Sequence, residues 1–106
     1  MHEIKLVRRG TNALKPKDGD STRVAEGSEV TFTVEPEVVG TEITFLGDTP
    51  FDSHTVRYNT PLAVKARFNA SDANKNKYRY RCHGTGSKGE QLDSDGGGGE
   101  MEIIRG

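Results

Sequence analysis

Apolar and polar residues alternate along most of this chain, and this alternation restricts the fold more than any other feature. Residues 29–35 are EVTFTVE, residues 62–68 are LAVKARF and residues 77–82 are KYRYRC. Successive side chains of a β-strand point to opposite faces, so each segment would bury one face and expose the other. Further strands are predicted at residues 3–8, 22–26, 41–46, 54–58 and 100–105.

Turn-forming residues separate these strands, and no helical pattern competes with them. KDGD at residues 17–20, GDTP at 47–50 and NTP at 59–61 are typical of tight turns. A chain of 106 residues has room for one domain. Seven or eight short antiparallel strands favour two packed sheets, so we predict an all-β sandwich domain over residues 1–106.

The order of several motifs resembles the cupredoxin-like superfamily. GSEVTF at residues 27–32 precedes ITFLGDTPFD at 43–52, and YRYRC at 78–82 leads through a polar loop to EMEII at 100–104. More closely, the chain resembles uncharacterised bacterial cupredoxin-like proteins, which generally lack the copper ligands. The resemblance covers roughly residues 24–105 and implies a Greek-key antiparallel sandwich.

Copper is the first cofactor that the resemblance raises. A blue-copper centre needs two imidazoles and a thiolate, often with a thioether, and the chain offers His54, Cys82, His83 and Met101. Their spacing differs from the family pattern, because neighbours such as Cys82 and His83 point to opposite faces of a strand. We therefore predict a scaffold without native copper, in which Cys82 is a buried apolar residue. A divergent copper electron carrier is the alternative.

Acidic residues in a glycine-rich segment offer a second metal site. Asp93, Asp95 and Glu100 flank a run of four glycines, and calcium prefers oxygen ligands of this kind. The ligand order of an EF-hand is absent, and acidic glycine-rich segments are usually solvated turns. A calcium-dependent adhesion or carbohydrate-binding module is therefore a third hypothesis, and the favoured prediction has no cofactor.

Several basic residues are predicted to share an exposed face. Alternation turns Tyr78 and Tyr80 inward and the basic residues between them outward. Single-stranded nucleic acid needs aromatic rings and cations on one exposed surface, so we predict no nucleic-acid partner. Cross-strand pairing with acidic residues is expected to neutralise the cations. The cations are Lys77, Arg79 and Arg81, with Arg57, Lys65 and Arg67, and the expected partners are Glu35, Glu42, Glu100 and Glu102.

Composition argues against several functional classes. Fifteen basic and sixteen acidic residues leave a net charge of −1, which removes the electrostatic case for nucleic acid or an anionic membrane. Apolar runs are too short for a membrane span or a signal-peptide core. The expectation is a cytoplasmic protein, or an exported one whose leader has been removed. With Cys82 as the only cysteine, an internal disulfide is impossible.

Catalysis finds little support in the sequence. Ser53 and His54 are adjacent, as are Cys82 and His83, whereas a nucleophile and its base normally converge from separate elements. We therefore predict a non-enzymatic binding or structural module. Its partner, a protein or a small ligand, would contact the end loops at residues 47–54 and 83–99, because a sandwich displays its loops at its ends.

Overall fold

A computed structural model describes residues 2–10, 12–19, 21–93 and 98–106. Over these residues the protein is all-β, as predicted, and it contains no helix long and apolar enough to cross a membrane. The ten strands are β1 (His2–Arg9), β2 (Ala13–Pro16), β3 (Ser21–Ala25), β4 (Glu29–Val34), β5 (Val38–Phe45), β6 (Thr55–Arg57), β7 (Leu62–Ala63), β8 (Lys77–Gly86), β9 (Gln91–Asp93) and β10 (Gly99–Ile104).

The strands form one mixed sheet in the order β3-β10-β8-β9-β2-β1-β4-β7, with β5 on the other edge of β8 and β6 beside β5. The predicted all-antiparallel pairing is wrong, because β1 with β4, β3 with β10 and β2 with β9 pair in parallel. β2 and β4 lie on either side of β1 while β3 lies beside β10. The chain therefore crosses over between β1 and β4 instead of forming a hairpin, and a crossover permits parallel pairing.

β8 is the strand on which the rest of the sheet is organised. It pairs with β5 over residues 80–86 on one edge, and with β10 over residues 77–80 and β9 over residues 83–85 on the other. Its side chains alternate as predicted: Tyr80 and Cys82 are fully buried, whereas Arg79 and Arg81 are exposed. β8 thus carries core residues on one side and cations on the other.

Aromatic rings from three strands meet in the core around Tyr80. The Phe32 and Tyr80 rings are 5.4 Å apart at an angle of 79°, and the Phe45 ring lies 5.3 Å from Tyr80. Phe51, from the loop after β5, packs edge-on against Phe45 at 5.6 Å. Edge-to-face contacts add to the stabilisation that burial of these rings provides. Tyr80 therefore joins the packing of β4, β5 and β8.

Three segments differ from the sequence expectation. β2 pairs with β1 although no strand was predicted at residues 13–16. The strand predicted at residues 62–68 stops at Ala63, because the amides of Lys65 and Ala66 donate to the Pro50 carbonyl instead of to a strand. The expected loop at residues 83–99 contains the end of β8 and the whole of β9. Gly84 is buried at an inward position, where a Cβ would lie 2.5 Å from the Gly40 carbonyl oxygen. The close approach of the two backbones therefore requires glycine at this position, whereas Gly84 was predicted to lie in a loop.

Candidate functional site

β5, β6 and β8 carry a group of exposed side chains on the side of the sheet opposite the core. Cross-strand rows are set by the register: Thr44 lies between Thr55 and Arg81, and Glu42 lies between Arg57 and His83. Leu46 follows β5 directly, and its amide donates to the Arg79 carbonyl at 2.9 Å. We call the surface formed by Thr44, Leu46, Arg57, Arg79 and Arg81 the arginine face.

The three arginines of the arginine face have no acidic partner among the residues that the structure describes. Arg57, Arg79 and Arg81 are exposed, and within the described residues none of their side chains makes an ion pair or a hydrogen bond. Glu42 and Glu100 lie opposite Arg57 and Arg79 in the register, yet neither carboxylate comes within 4.0 Å of these guanidinium groups. The expectation that cross-strand pairing would neutralise these cations is therefore wrong for all three arginines.

The neighbouring part of the same surface behaves as the sequence predicted. Lys77 Nζ lies 3.8 Å from Glu100 Oε1, and Arg23 Nε lies 3.6 Å from Glu102 Oε1. The Ser21 hydroxyl also donates to Glu100 Oε1 at 3.1 Å. We call this surface of β3, β10 and the start of β8 the paired face. Its cations and carboxylates are held close to each other, so little charge is left for a partner.

A shallow cavity of about 460 Å³ adjoins the arginine face at Leu46. Leu46 is 43 % exposed, which is high for a leucine, and Tyr78 lines the cavity beside it. Burial raises the pKa of the Tyr78 phenol, and the negative charges of Asp48 and Asp72 raise it further. The phenol therefore stays neutral. The cavity is lined by Leu46 and Tyr78 together with four charged residues, Asp48, Lys77, Arg79 and Glu100.

The loop at residues 47–54, which was predicted as a contact loop, is held by its own hydrogen bonds. His54 Nε2 lies 2.6 Å from the Gly47 carbonyl oxygen, and the Thr49 hydroxyl donates to the Ser53 carbonyl at 2.8 Å. Phe51 is buried and anchors the loop on the core. The loop therefore presents a fixed surface beside the arginine face.

The candidate copper ligands lie in different surroundings. Cys82 and Met101 are fully buried, whereas His54 and His83 are exposed. Met101 pairs with Tyr78, four residues before Cys82 on β8, which corresponds to about 13 Å along a strand. His54 contacts Gly47, and His83 Nδ1 lies 3.1 Å from Asp93 Oδ1. The structure thus does not bring these four residues together.

Burial also changes the chemistry of the Cys82 thiol. It raises the pKa of Cys82 to about 12. The thiolate is the form that binds metals and attacks electrophiles, so at neutral pH Cys82 has the character of a small apolar residue. The described residues contain no group of three or more His, Cys, Asp or Glu side chains that could hold a metal ion.

Of the calcium candidates, Asp95 lies outside the described residues. Asp93 pairs with His83 and Glu100 with Arg79, so the two carboxylates are four β8 residues apart, or about 13 Å along the strand. Asp93 contacts His83, and Glu100 contacts Lys77 and Ser21. The structure does not bring Asp93 and Glu100 together.

The adjacent pairs considered for catalysis make separate contacts. The Ser53 hydroxyl donates to the Thr55 carbonyl at 2.9 Å, while the His54 ring bonds to Gly47. His83 points outward to Asp93 and Cys82 points into the core. Neither histidine is therefore placed to take a proton from its neighbour.

Comparisons with protein-family models, curated proteins and solved structures find no match to this chain. The resemblance to cupredoxin-like proteins therefore stays a prediction. The arginine face is the functional candidate that the structure adds. Strand alternation had placed its cations on one face. Whether a described glutamate reaches them depends on side-chain positions, which the sequence pattern does not determine.

Proposed function

We propose that the protein is a non-enzymatic binding module on a cupredoxin-like Greek-key sandwich, and that the arginine face is its contact surface. The observation that carries this proposal is the set of three exposed arginines, Arg57, Arg79 and Arg81, which have no ion pair within the described residues. Arginine is enriched at protein interfaces, because its planar group donates several hydrogen bonds and also packs on apolar surface.

The rigid support beneath these residues also favours binding. β5 pairs with β8 at seven register positions and with β6 at three, and the inward side chains Ile43, Phe45 and Val56 are buried. Residues on a paired sheet lose less conformational freedom on association than residues on a mobile loop, which lowers the entropic cost of binding. The fixed loop at residues 47–54 would extend this surface at one end.

A site-specific cross-linking experiment tests the proposed function. A photo-reactive amino acid replaces Thr44 at the centre of the arginine face, and Glu29 on β4 serves as a matched exposed control position. In cells that produce the protein natively, we expect one discrete adduct from position 44, competed by unlabelled protein and absent from position 29. The adduct should disappear in the double variant Arg79→Glu/Arg81→Glu. Equal adducts from both positions, or none from position 44, would contradict the proposal.

A further inference from the structure

The chemistry of the arginine face also indicates what it binds. We propose that its partner is an extended acidic segment of another protein, with carboxylates on alternate residues and one apolar side chain at the Leu46 end. This inference rests on the proposed function and adds the chemical class of the partner. Four features carry it: the spacing of the arginines, the position of Arg57, the apolar end and the carboxylate of Glu42.

Arg79 and Arg81 are alternate residues of one strand, and both point outward. Side chains on one face of a strand repeat at about 6.6 Å, and an extended peptide laid along β8 has the same repeat. Its alternate residues therefore meet successive arginines without either backbone bending. Arg binds a carboxylate through two parallel N–H···O bonds, which are stronger than bonds between neutral groups. Carboxylates at alternate positions thus match both the spacing and the donor geometry.

Arg57 widens the basic surface sideways. It lies on β6, with β5 between it and β8, so it is offset from β8 by two strand spacings, about 10 Å. Its row contains Glu42 and His83, whereas Arg81 lies in the adjacent row with Thr44 and Thr55. A third carboxylate, reaching sideways from the bound segment, would contact Arg57. The two threonines between the cations offer hydroxyl groups to the bound backbone.

The Leu46 end has a different character. Exposed Leu46 and half-buried Tyr78 line the cavity of about 460 Å³, together with two carboxylates and two cations. These charged residues are Asp48, Glu100, Lys77 and Arg79. The two carboxylates offset the two cations there, so an acidic side chain would gain little. An apolar side chain would cover Leu46 and remove apolar surface from water. The partner segment is therefore acidic along Arg79 and Arg81 and apolar at this end.

Two observations favour a protein segment over a nucleic acid. Tyr80 is fully buried and Tyr78 is half-buried in the cavity wall, so the arginine face offers no exposed aromatic platform for base stacking. Glu42 also lies among the arginines, opposite Arg57, and would repel a continuous row of phosphates. A peptide with separate carboxylates avoids Glu42, because a neutral side chain can stand beside it.

The experiment uses a fluorescein-labelled peptide, Leu-Thr-Asp-Thr-Asp-Thr-Asp, capped at its C-terminus, and measures its binding to the full chain by fluorescence anisotropy. A peptide with every Asp replaced by Asn removes only the charge, and a peptide with the three Asp residues adjacent removes only the spacing. Labelled oligothymidylate probes nucleic-acid binding. We expect the alternating acidic peptide to bind at least about tenfold more tightly than the other three probes, because only it satisfies Arg79 and Arg81 together.

Two pairs of variants assign the binding to the arginine face. Arg79→Glu/Arg81→Glu should lose binding, and the milder Arg79→Gln/Arg81→Gln should weaken it at least about tenfold. Lys65→Glu/Arg67→Glu is the matched control, since it reverses two exposed basic residues, also two positions apart, outside the arginine face. Its affinity should stay within about twofold of the parent. Backbone amide NMR shifts of the parent protein give a second readout that needs no variant.

The outcomes separate this inference from the proposed function. No binding of the acidic peptide, equal binding of the Asn peptide, or tighter binding of oligothymidylate would overturn the acidic-segment proposal. If the position-44 adduct is nevertheless formed and depends on Arg79 and Arg81, the proposed function stands with a partner of different chemistry. If the position-44 adduct is absent as well, both proposals fail.

Discussion

The arginine face and the paired face lie on the same side of one sheet and share β8, yet their charges are arranged differently. On the paired face, Lys77 and Arg23 lie within 4.0 Å of glutamates on β10. On the arginine face, Arg81 has Thr44 opposite it on β5. On the other edge of β8, the described pairing with β10 ends at Tyr80 and that with β9 begins at His83. Arg81 therefore has no described ladder neighbour on that edge.

This difference shows that composition does not decide which cations are neutralised. The chain has nearly equal numbers of acidic and basic residues, so its net charge does not reveal the local excess of positive charge on the arginine face. A glutamate opposite a cation in the ladder is not sufficient, since Glu42 lies opposite Arg57 and Glu100 opposite Arg79 without an ion pair. The acidic side chain must also reach the cation. The two faces make different predictions under mutation, which follow in order of decreasing effect.

Tyr80→Ala should have the largest effect, because Tyr80 lies beneath the point where both faces meet on β8. Its ring contacts Phe32 and Phe45 and is fully buried, and removal of a buried aromatic ring typically costs about 3–5 kcal/mol. Urea unfolding of the variant and the parent measures the change. A loss below about 1 kcal/mol would mean that the two faces do not share a core at Tyr80.

Removing charges should affect the two faces unequally. Glu100→Gln removes the partner of Lys77 and should lower the free energy of unfolding by up to about 1 kcal/mol, with a smaller loss at high salt. Arg81→Gln, which breaks no ion pair between described residues, should leave the stability unchanged or slightly higher. Urea unfolding at low and high salt compares the two variants. A larger loss of unfolding free energy for Arg81→Gln than for Glu100→Gln would contradict the claim that the ion pairs stabilise the paired face and not the arginine face.

A copper site is the alternative function that the sequence raised. Two of its candidate ligands, Cys82 and His83, follow Arg81 directly on β8. Because the pKa of Cys82 is raised to about 12, the thiolate is scarce at neutral pH. We therefore expect a titration with Cu(II) at neutral pH to produce no intense blue charge-transfer band. Cys82→Ser serves as the control. A stoichiometric band that this variant lacks would establish a thiolate–copper site and favour the electron-carrier hypothesis.

Calcium should have no effect on either face. Asp93 and Glu100 are separated by four residues of β8, about 13 Å along the strand, so a single ion would not contact both carboxylates. The melting temperature should be the same with millimolar calcium and with a chelator. A rise with calcium that is lost in Asp93→Asn would support the adhesion or carbohydrate-binding hypothesis.

Strand alternation was sufficient to predict eight of the ten described strands, although β7 is shorter than predicted, and the inward direction of Tyr80 and Cys82. The short strands β2 and β9 were missed. β9 was missed because it follows β8 after only a short turn, and because buried glycines such as Gly84 hide the alternation. Whether two strands pair in parallel or antiparallel could not be predicted either. Alternation shows which face of a strand is buried, but it does not show which strands lie beside it. A similar limit explains the arginine face: its cations were placed correctly, but alternation does not show whether a glutamate on the neighbouring strand reaches them.

The most direct test of this account is the NMR titration of the isotope-labelled protein with the alternating acidic peptide. We expect the largest amide shifts at Thr44, Leu46, Arg57, Arg79 and Arg81. The amides of Ser21, Arg23 and Glu102 on the paired face should stay unchanged. Shifts centred on the paired face, or no shifts at all, would contradict the central claim that the arginine face is the binding surface.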